Sequence, residues 1–145
     1  MQWGIYVHIP WCRSRCPYCA FNVEVRPNAP TKAYTDAMAR HWQGIAHHFQ
    51  GQPSSVFFGG GTPSLHPPDL IKHLLDVFEP PDTAEITLEA NPGTVNPELL
   101  DNLLDAGINR LSLGIQPFSP KHARFLNRAH SVTDARDLLE MVGKA

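Results

Sequence analysis

The chain holds three cysteines, and all lie in one stretch, Cys12-Arg13-Ser14-Arg15-Cys16-Pro17-Tyr18-Cys19, with the spacing C-x3-C-x2-C. An odd number crowded on one loop is a poor disulfide framework, which uses an even number spread along the chain. Iron–sulfur clusters are held by thiolates on loops of this kind, typically four of them. With three, one iron keeps an open position, as a catalytic zinc keeps one for water or substrate. Arg13 and Arg15 favour the thiolate form and offset the charge of a cluster. Other readings stay open. A redox pair at Cys16 and Cys19 leaves Cys12 unexplained, and that motif opens a helix rather than preceding a Pro-rich loop. A structural zinc needs a fourth ligand such as His8, whose strand face and distance suit the role poorly. Unligated thiols in such a cluster would be an oxidation hazard.

Two further stretches carry polar or flexible groups of interest. Gly59-Gly60-Gly61-Thr62-Pro63 ends an apolar run, where glycines allow positive φ and let backbone N–H groups approach a ligand. It lacks the Gly-Lys-Ser/Thr of a phosphate loop, which argues against a nucleoside triphosphate. The plainer reading is a tight turn, which alone needs one glycine rather than three. Glu89 closes another run on its polar side, and a buried carboxylate there requires a partner. A Glu at a sheet rim in water is the alternative. His41, His47, His48, His66, His73, His122 and His130 show no consistent ligand spacing and are expected at the surface or rim.

These residues must be positioned by regular elements, and the pattern is a strand-then-helix alternation. Ile5-Tyr6-Val7-His8-Ile9 is a β-branched run stopped by Pro10. Thr31 can cap a helix to about Phe49, with Tyr34, Ala37, Met38, Trp42, Ile45 and Phe49 at spacings of three and four. Val56-Phe57-Phe58 is the second strand, and Pro68 to Phe78 the next helix, striped by Leu70, Ile71, Leu74, Leu75 and Phe78. Glu85 to Glu89 is the third strand. Asn96 as N-cap and Pro97 at the first helical position start a helix with Leu99, Leu100, Leu103 and Leu104 that stops at Gly107. Arg110 to Ile115 is the fourth strand. Ser119-Pro120 opens a short helix to about Leu126, and Ser131 caps a last one to about Val142.

Strands alternating with helices at this pitch predict an α/β fold with a parallel sheet and right-handed crossovers. A closed eight-unit barrel needs roughly 250 residues, against 145 here. The expectation is an incomplete parallel (β/α) barrel of about four units, the N-terminal part of a longer domain. The cysteine loop then follows the first strand, at the carboxyl end where such proteins place their sites. Ile5, Val7 and Ile9 point away from Tyr6 and His8; Ile86 and Leu88 oppose Thr87 and Glu89; Leu111, Leu113 and Ile115 oppose Ser112, Gly114 and Gln116. One face is apolar, suited to helices. The other is polar or small, which implies a hollow, ligand-lined inner face or a half-solvated sheet.

Composition narrows the class. Hydrophobic residues make up 42% and charged residues 18%, ordinary for a globular domain and unlike a disordered chain. The net charge of −2 predicts no bulk attraction to nucleic acid or anionic membrane. No apolar run reaches the roughly eighteen residues of a membrane span, and Met1-Gln2-Trp3-Gly4 has no signal-peptide character. A cytoplasmic protein is the expectation.

C-x3-C-x2-C with an aromatic before the last cysteine resembles the signature of the radical S-adenosylmethionine superfamily. Tyr6-Val7-His8-Ile9-Pro10-Trp11-Cys12, Phe58-Gly59-Gly60-Gly61-Thr62-Pro63-Ser64, Leu88-Glu89-Ala90-Asn91-Pro92 and Arg110-Leu111-Ser112-Leu113-Gly114-Ile115-Gln116 together resemble the branch that holds oxygen-independent coproporphyrinogen III oxidases and haem chaperones. The resemblance implies a [4Fe–4S] cluster on Cys12, Cys16 and Cys19. It implies that Gly60, Gly61 and Thr62 lie in the loop that receives the methionyl amino group of S-adenosylmethionine, which Glu89 also contacts. Gln116 could read ribose or methionine groups, Arg128 resembles a position that pairs with the ligand carboxylate, and Tyr6 and Tyr18 match aromatic positions beside the cofactor. For Tyr6 a core tyrosine, and for Arg128 a solvated one, are the plainer alternatives. The oxidases carry a fourth cysteine two residues after the third, where this chain has Phe21. That departure points to the haem chaperones, which hold haem for recipient haem proteins, and a cluster implies an electron donor. An oxidase and a zinc-binding scaffold remain the alternatives.

Overall fold

The computed structural model describes residues 2–115, 126 and 132–143. Four parallel strands form one sheet: β1 (Gly4–Ile9), β4 (Ser55–Gly60), β5 (Glu85–Ala90) and β6 (Arg110–Leu113), in the order β1-β4-β5-β6. Each neighbour is the next strand of the sheet in sequence, so the crossovers all run one way, as in one arc of a (β/α) barrel. The register places Tyr6 beside Phe57 and Phe57 beside Thr87 in one row, and Val7, Phe58, Leu88 and Leu111 in the next.

The alternation expected of the strands holds in β1 and along the first part of β4 but not throughout: Thr87, on the expected polar face of β5, is buried, and Leu111, Ser112 and Leu113 of β6 are all half-buried. Val7, Ile9, Val56, Phe58, Ile86 and Leu88 are buried. They pack with helices α1 (Thr31–Ile45), α2 (Pro68–Phe78) and α3 (Pro97–Asp105), which contribute Ala39, Ile71, Leu74, Leu75, Phe78, Leu100 and Leu103 to the same core. Helix α4 (Val132–Val142) adds Leu138. Helix α3 begins as its sequence dictates: Asn96 Oδ1 accepts a hydrogen bond from Leu99 N at 2.7 Å, and Pro97 occupies the first turn.

Several boundaries differ from expectation. Thr31 does not cap α1; it is the first helical residue, Pro30 holds the cap position, and no side chain caps that end. The helix ends at Ile45, followed by a tight 3₁₀ turn over Ala46–His48. Phe49 lies beyond it, stacked on Trp42 and tilted against Trp3. Leu104 is exposed rather than part of the α3 stripe. The β6 ladder is shorter than Arg110–Ile115, because Ile115 N turns back to Leu113 O at 2.9 Å. The expected helix at 119–126 and the cap at Ser131 lie outside the described residues.

His66 overturns the expectation that it sits at the surface or rim. It is 1% exposed, and its Nε2 lies 2.8 Å from Thr35 Oγ1 on α1. Burial pushes the imidazole pKa down to about 4, because the charged form loses its hydration there. Among the described residues no helix is long and apolar enough to cross a membrane.

Candidate functional site

The carboxyl ends of the sheet strands meet the cysteine loop around a cavity of about 300 Å³. Cys12, Cys16 and Cys19 all line it, with Tyr18, Arg13 and Arg15 from the same loop. Gly60, Gly61 and Thr62 line it from the end of β4, Glu89 from β5, and Ser112 from β6. The structure therefore brings together eight of the candidate ligand and cofactor-contact residues, Cys12, Cys16, Cys19, Tyr18, Gly60, Gly61, Thr62 and Glu89, while Tyr6 is not among the lining residues. Gln116 and Arg128 lie outside the described residues.

The loop is based on a small sheet with no sequence signal. Trp11–Cys12 (β2) pairs in parallel with Glu24–Val25 (β3), and Glu24 N donates to Pro10 O at 2.8 Å. The chain thus leaves β1, makes the cysteine loop and returns beside its own exit.

The glycines are accounted for by packing. Gly60 has φ +115°, and a Cβ there would lie 2.7 Å from His8 Cε1. A Cβ on Gly61 would lie 2.6 Å from Trp11 O and 2.8 Å from Pro10 C. The loop's N–H groups, which the sequence suggested could approach a ligand, are instead bonded within the chain. Gly60 N donates to Glu89 Oε2 at 3.2 Å, Gly61 N to Ile9 O at 2.8 Å and Thr62 N to Trp11 O at 2.8 Å. The same contact gives Glu89 the partner it needs, so it is not a rim carboxylate in water.

Thr62 is the junction of a polar network. Its Oγ1 lies 3.6 Å from Cys12 Sγ and accepts from Asn91 Nδ2 at 3.3 Å. Between the thiol and the hydroxyl either atom can donate, whereas a thiolate at Cys12 could only accept from the Thr62 hydroxyl. Thr94 Oγ1 donates to Asn91 O and lies 2.6 Å from Ser64 Oγ, tying the β5–α3 connection to the turn after the glycines. Asn91, Thr94 and Ser64 were not singled out from sequence. Asn91 and Ser64 each lie in a motif that could have pointed to them; Thr94 carries no signal.

Three thiols lining one cavity are the donor type that iron–sulfur clusters use, each thiolate binding its own iron. Among the described residues no three His, Cys, Asp or Glu side chains are placed to hold one metal ion. His8 is not a fourth zinc ligand: its Nδ1 lies 3.1 Å from Tyr6 Oη and its Nε2 2.8 Å from Asn22 O.

Tyr6 is 60% exposed and stacks on Phe57, so it is not a core tyrosine. Partial burial, then the nearby Glu89 carboxylate and Tyr34, raise its phenol pKa. Phe21, the residue that marks the departure from the oxidase pattern, lines the cavity and is 63% exposed.

The description of the radical SAM superfamily matches residues 6–145. The haem chaperone HemW of Haemophilus influenzae is 37% identical over 148 residues, 95% of this chain and 39% of that protein. HemW of Escherichia coli is 37% identical over 92% of this chain and 37% of its own length. The mitochondrial radical S-adenosyl methionine domain-containing protein 1 of Danio rerio is 38% identical over 91% of this chain and 31% of that protein. This chain thus spans well under half of these relatives. Among solved structures, coproporphyrinogen III oxidase (HemN) from Escherichia coli, described as a radical SAM enzyme, superposes with a TM-score of 0.87 at 30% identity over 99% of this chain and 34% of that one.

Proposed function

This chain belongs to the radical SAM superfamily, and we propose that Cys12, Cys16 and Cys19 hold a [4Fe–4S] cluster beside a site for S-adenosylmethionine. The observation that carries this reading is one cavity lined by three thiols, the Gly60–Thr62 turn and Glu89 at the carboxyl ends of parallel strands. When bound, the cluster supplies an electron to the sulfonium of S-adenosylmethionine. The residues of the chain bind and orient. An ammonium needs acceptors, and the N–H groups of Gly60, Gly61 and Thr62 are engaged within the protein. The turn therefore serves a methionyl amino group through carbonyl oxygens, with the Glu89 carboxylate beside them. Tyr18 and Tyr6 flank the cofactor, and Gln116 and Arg128 complete the site through its ribose and carboxylate.

We further propose that residues 1–145 are the N-terminal part of a longer radical SAM core. The whole protein is then a cytoplasmic haem chaperone of the HemW kind, served by an electron donor and passing haem to recipient haem proteins. The support is the identity to HemW and Phe21. The resembling oxidases carry a thiol at that position, where Phe21 can only pack or stack; it cannot bind metal or donate a proton. The test is anaerobic reconstitution of the whole protein followed by haem binding and a chromatographic assay with coproporphyrinogen III, an authentic oxidase serving as control. Cluster and haem uptake without decarboxylated product is the expected result. Catalytic formation of decarboxylated porphyrinogen refutes the chaperone reading, and failure to take up a cluster refutes the site.

A further inference from the structure

We propose that His8 is a positioning residue that locks the returning limb of the cysteine loop to β1, so that the three thiols are held around their cavity before any metal arrives. The inference rests on the reading of Cys12, Cys16 and Cys19 as cluster ligands, but the lock itself is a property of the metal-free chain.

The contacts select one tautomer of the neutral ring. His8 Nε2 lies 2.8 Å from the backbone carbonyl oxygen of Asn22. A carbonyl only accepts, so Nε2 carries the proton, and in the neutral ring Nδ1 is a bare acceptor. In that tautomer the Tyr6 hydroxyl, 3.1 Å away, donates to Nδ1. Tyr6 thus has a task besides flanking the cofactor: it holds His8 in the tautomer that faces Asn22, as outer-shell partners fix metal-ligating histidines.

The ring is also held by shape. It lies against Gly60, where any Cβ would come within 2.7 Å of Cε1, so the left-handed glycine makes room for the imidazole. On the other side of the sheet the His8 carbonyl accepts from Tyr34 Oη on α1 at 2.8 Å. One residue thereby joins β1, the helix layer, the glycine turn and the cysteine loop. Asn22 is three residues past Cys19, and Glu24 N to Pro10 O closes the next rung. Together these bonds shut the loop at its base and remove conformations in which the thiols are dispersed.

The experiment uses the full chain and two readouts. His8→Phe keeps a flat ring of similar size against Gly60 but loses both hydrogen bonds, and His8→Gln restores a donor for Asn22 O. In metal-free protein, trypsin cleavage after Arg13 and Arg15 reports opening of the loop. We expect His8→Phe to be cut about tenfold faster than the parent at an unchanged far-ultraviolet spectrum, with His8→Gln close to the parent. In reconstituted protein, cluster loss to a chelator is expected to quicken about 10–100-fold in His8→Phe. Unchanged cleavage and cluster lifetime in folded His8→Phe overturn the proposal, as does His8→Gln behaving like His8→Phe. If His8→Phe does not fold, Tyr6→Phe serves, since it removes only the donor to Nδ1; it is expected to loosen the loop to trypsin less than His8→Phe would, and no loosening overturns the proposal. A parent chain that takes up no cluster refutes the ligand assignment while the trypsin readout still decides the role of His8.

Discussion

Replacing Gly61 by Ala tests whether the glycine turn is shaped by the chain around it. A Cβ at Gly61 would lie 2.6 Å from Trp11 O and 2.8 Å from both C and O of Pro10. All three are backbone atoms, so no rotamer change relieves the clash, and the exit of β1 must withdraw by roughly half an ångström. That movement stretches two 2.8 Å bonds at once, Gly61 N to Ile9 O and Thr62 N to Trp11 O. Two backbone hydrogen bonds at about 0.5–1.5 kcal/mol each give about 1–3 kcal/mol, the same range as overpacking a filled site. Taking about 2 kcal/mol, the melting temperature should fall by roughly 4–8 °C. Gly44→Ala is the matched control. It sits in α1 with nothing within 4 Å of the added methyl, and should gain about 0.5–1 kcal/mol. Because Trp11 adjoins Cys12, Gly61→Ala should also take up less iron on anaerobic reconstitution, measured at a temperature where both variants are folded. A Gly61→Ala protein as stable as the parent, with full iron uptake, would show that the turn is set by something other than these contacts.

Changing any one of Cys12, Cys16 or Cys19 to Ala should abolish the [4Fe–4S] signal on anaerobic reconstitution, and a full four-iron cluster in any of the three would sink the ligand assignment. Gly60→Val should lower stability by about 1–3 kcal/mol through backbone strain, since Gly60 sits at φ +115° against His8. Calorimetry should also show weaker S-adenosylmethionine binding; unchanged affinity would make the turn irrelevant to the cofactor. His66 predicts a pH dependence. Its folded pKa is depressed from 6.5 to about 4, so the unfolded chain binds the proton first and stability falls as pH drops from 6.5 towards about 4, levelling off below that. The full span is worth about 3 kcal/mol. Denaturant midpoints across that range should slope less steeply in His66→Phe than in the parent, and equal slopes would remove His66 as the cause.

The elements that proved legible are those whose signals are local. Pro68 and Pro97 stand at helix starts where their missing N–H is no loss, Asn96 caps by its own side chain, and β1 alternates with a period of two. Thr31 misled because a good capping residue is only an opportunity; here Pro30 takes the cap position and Thr31 enters the helix. The paired strands β2 and β3 have two residues each, too short for any periodicity, and their pairing depends on where the cysteine loop returns. His66 could not be placed from sequence either. Its partner Thr35 is thirty-one positions away, and nothing around an isolated histidine announces burial.

The glycine triplet shows a subtler limit, and its resolution bears on what the cavity can hold. Three glycines in a row read as an invitation to a ligand, yet two of them are demanded by His8 and by the backbone at Pro10 and Trp11. The turn's N–H groups are engaged, so it is no anion cradle. The charges around the cavity agree. Metal binding requires the thiolate forms of Cys12, Cys16 and Cys19, and Glu89 adds a carboxylate, while Arg13 and Arg15 supply the two cations among the lining residues. On that reading the excess is negative, and such a cleft concentrates cations. A bound cluster would take up most of that excess, Glu89 would suit the ammonium and sulfonium of S-adenosylmethionine, and the carboxylate of the same molecule would still call for a cation not already offset by the thiolates. That need is what the resemblance assigns to Arg128, and a charge-reversing Arg128→Glu should therefore weaken S-adenosylmethionine binding more than Arg128→Gln, with equal affinities in calorimetry as the refuting result.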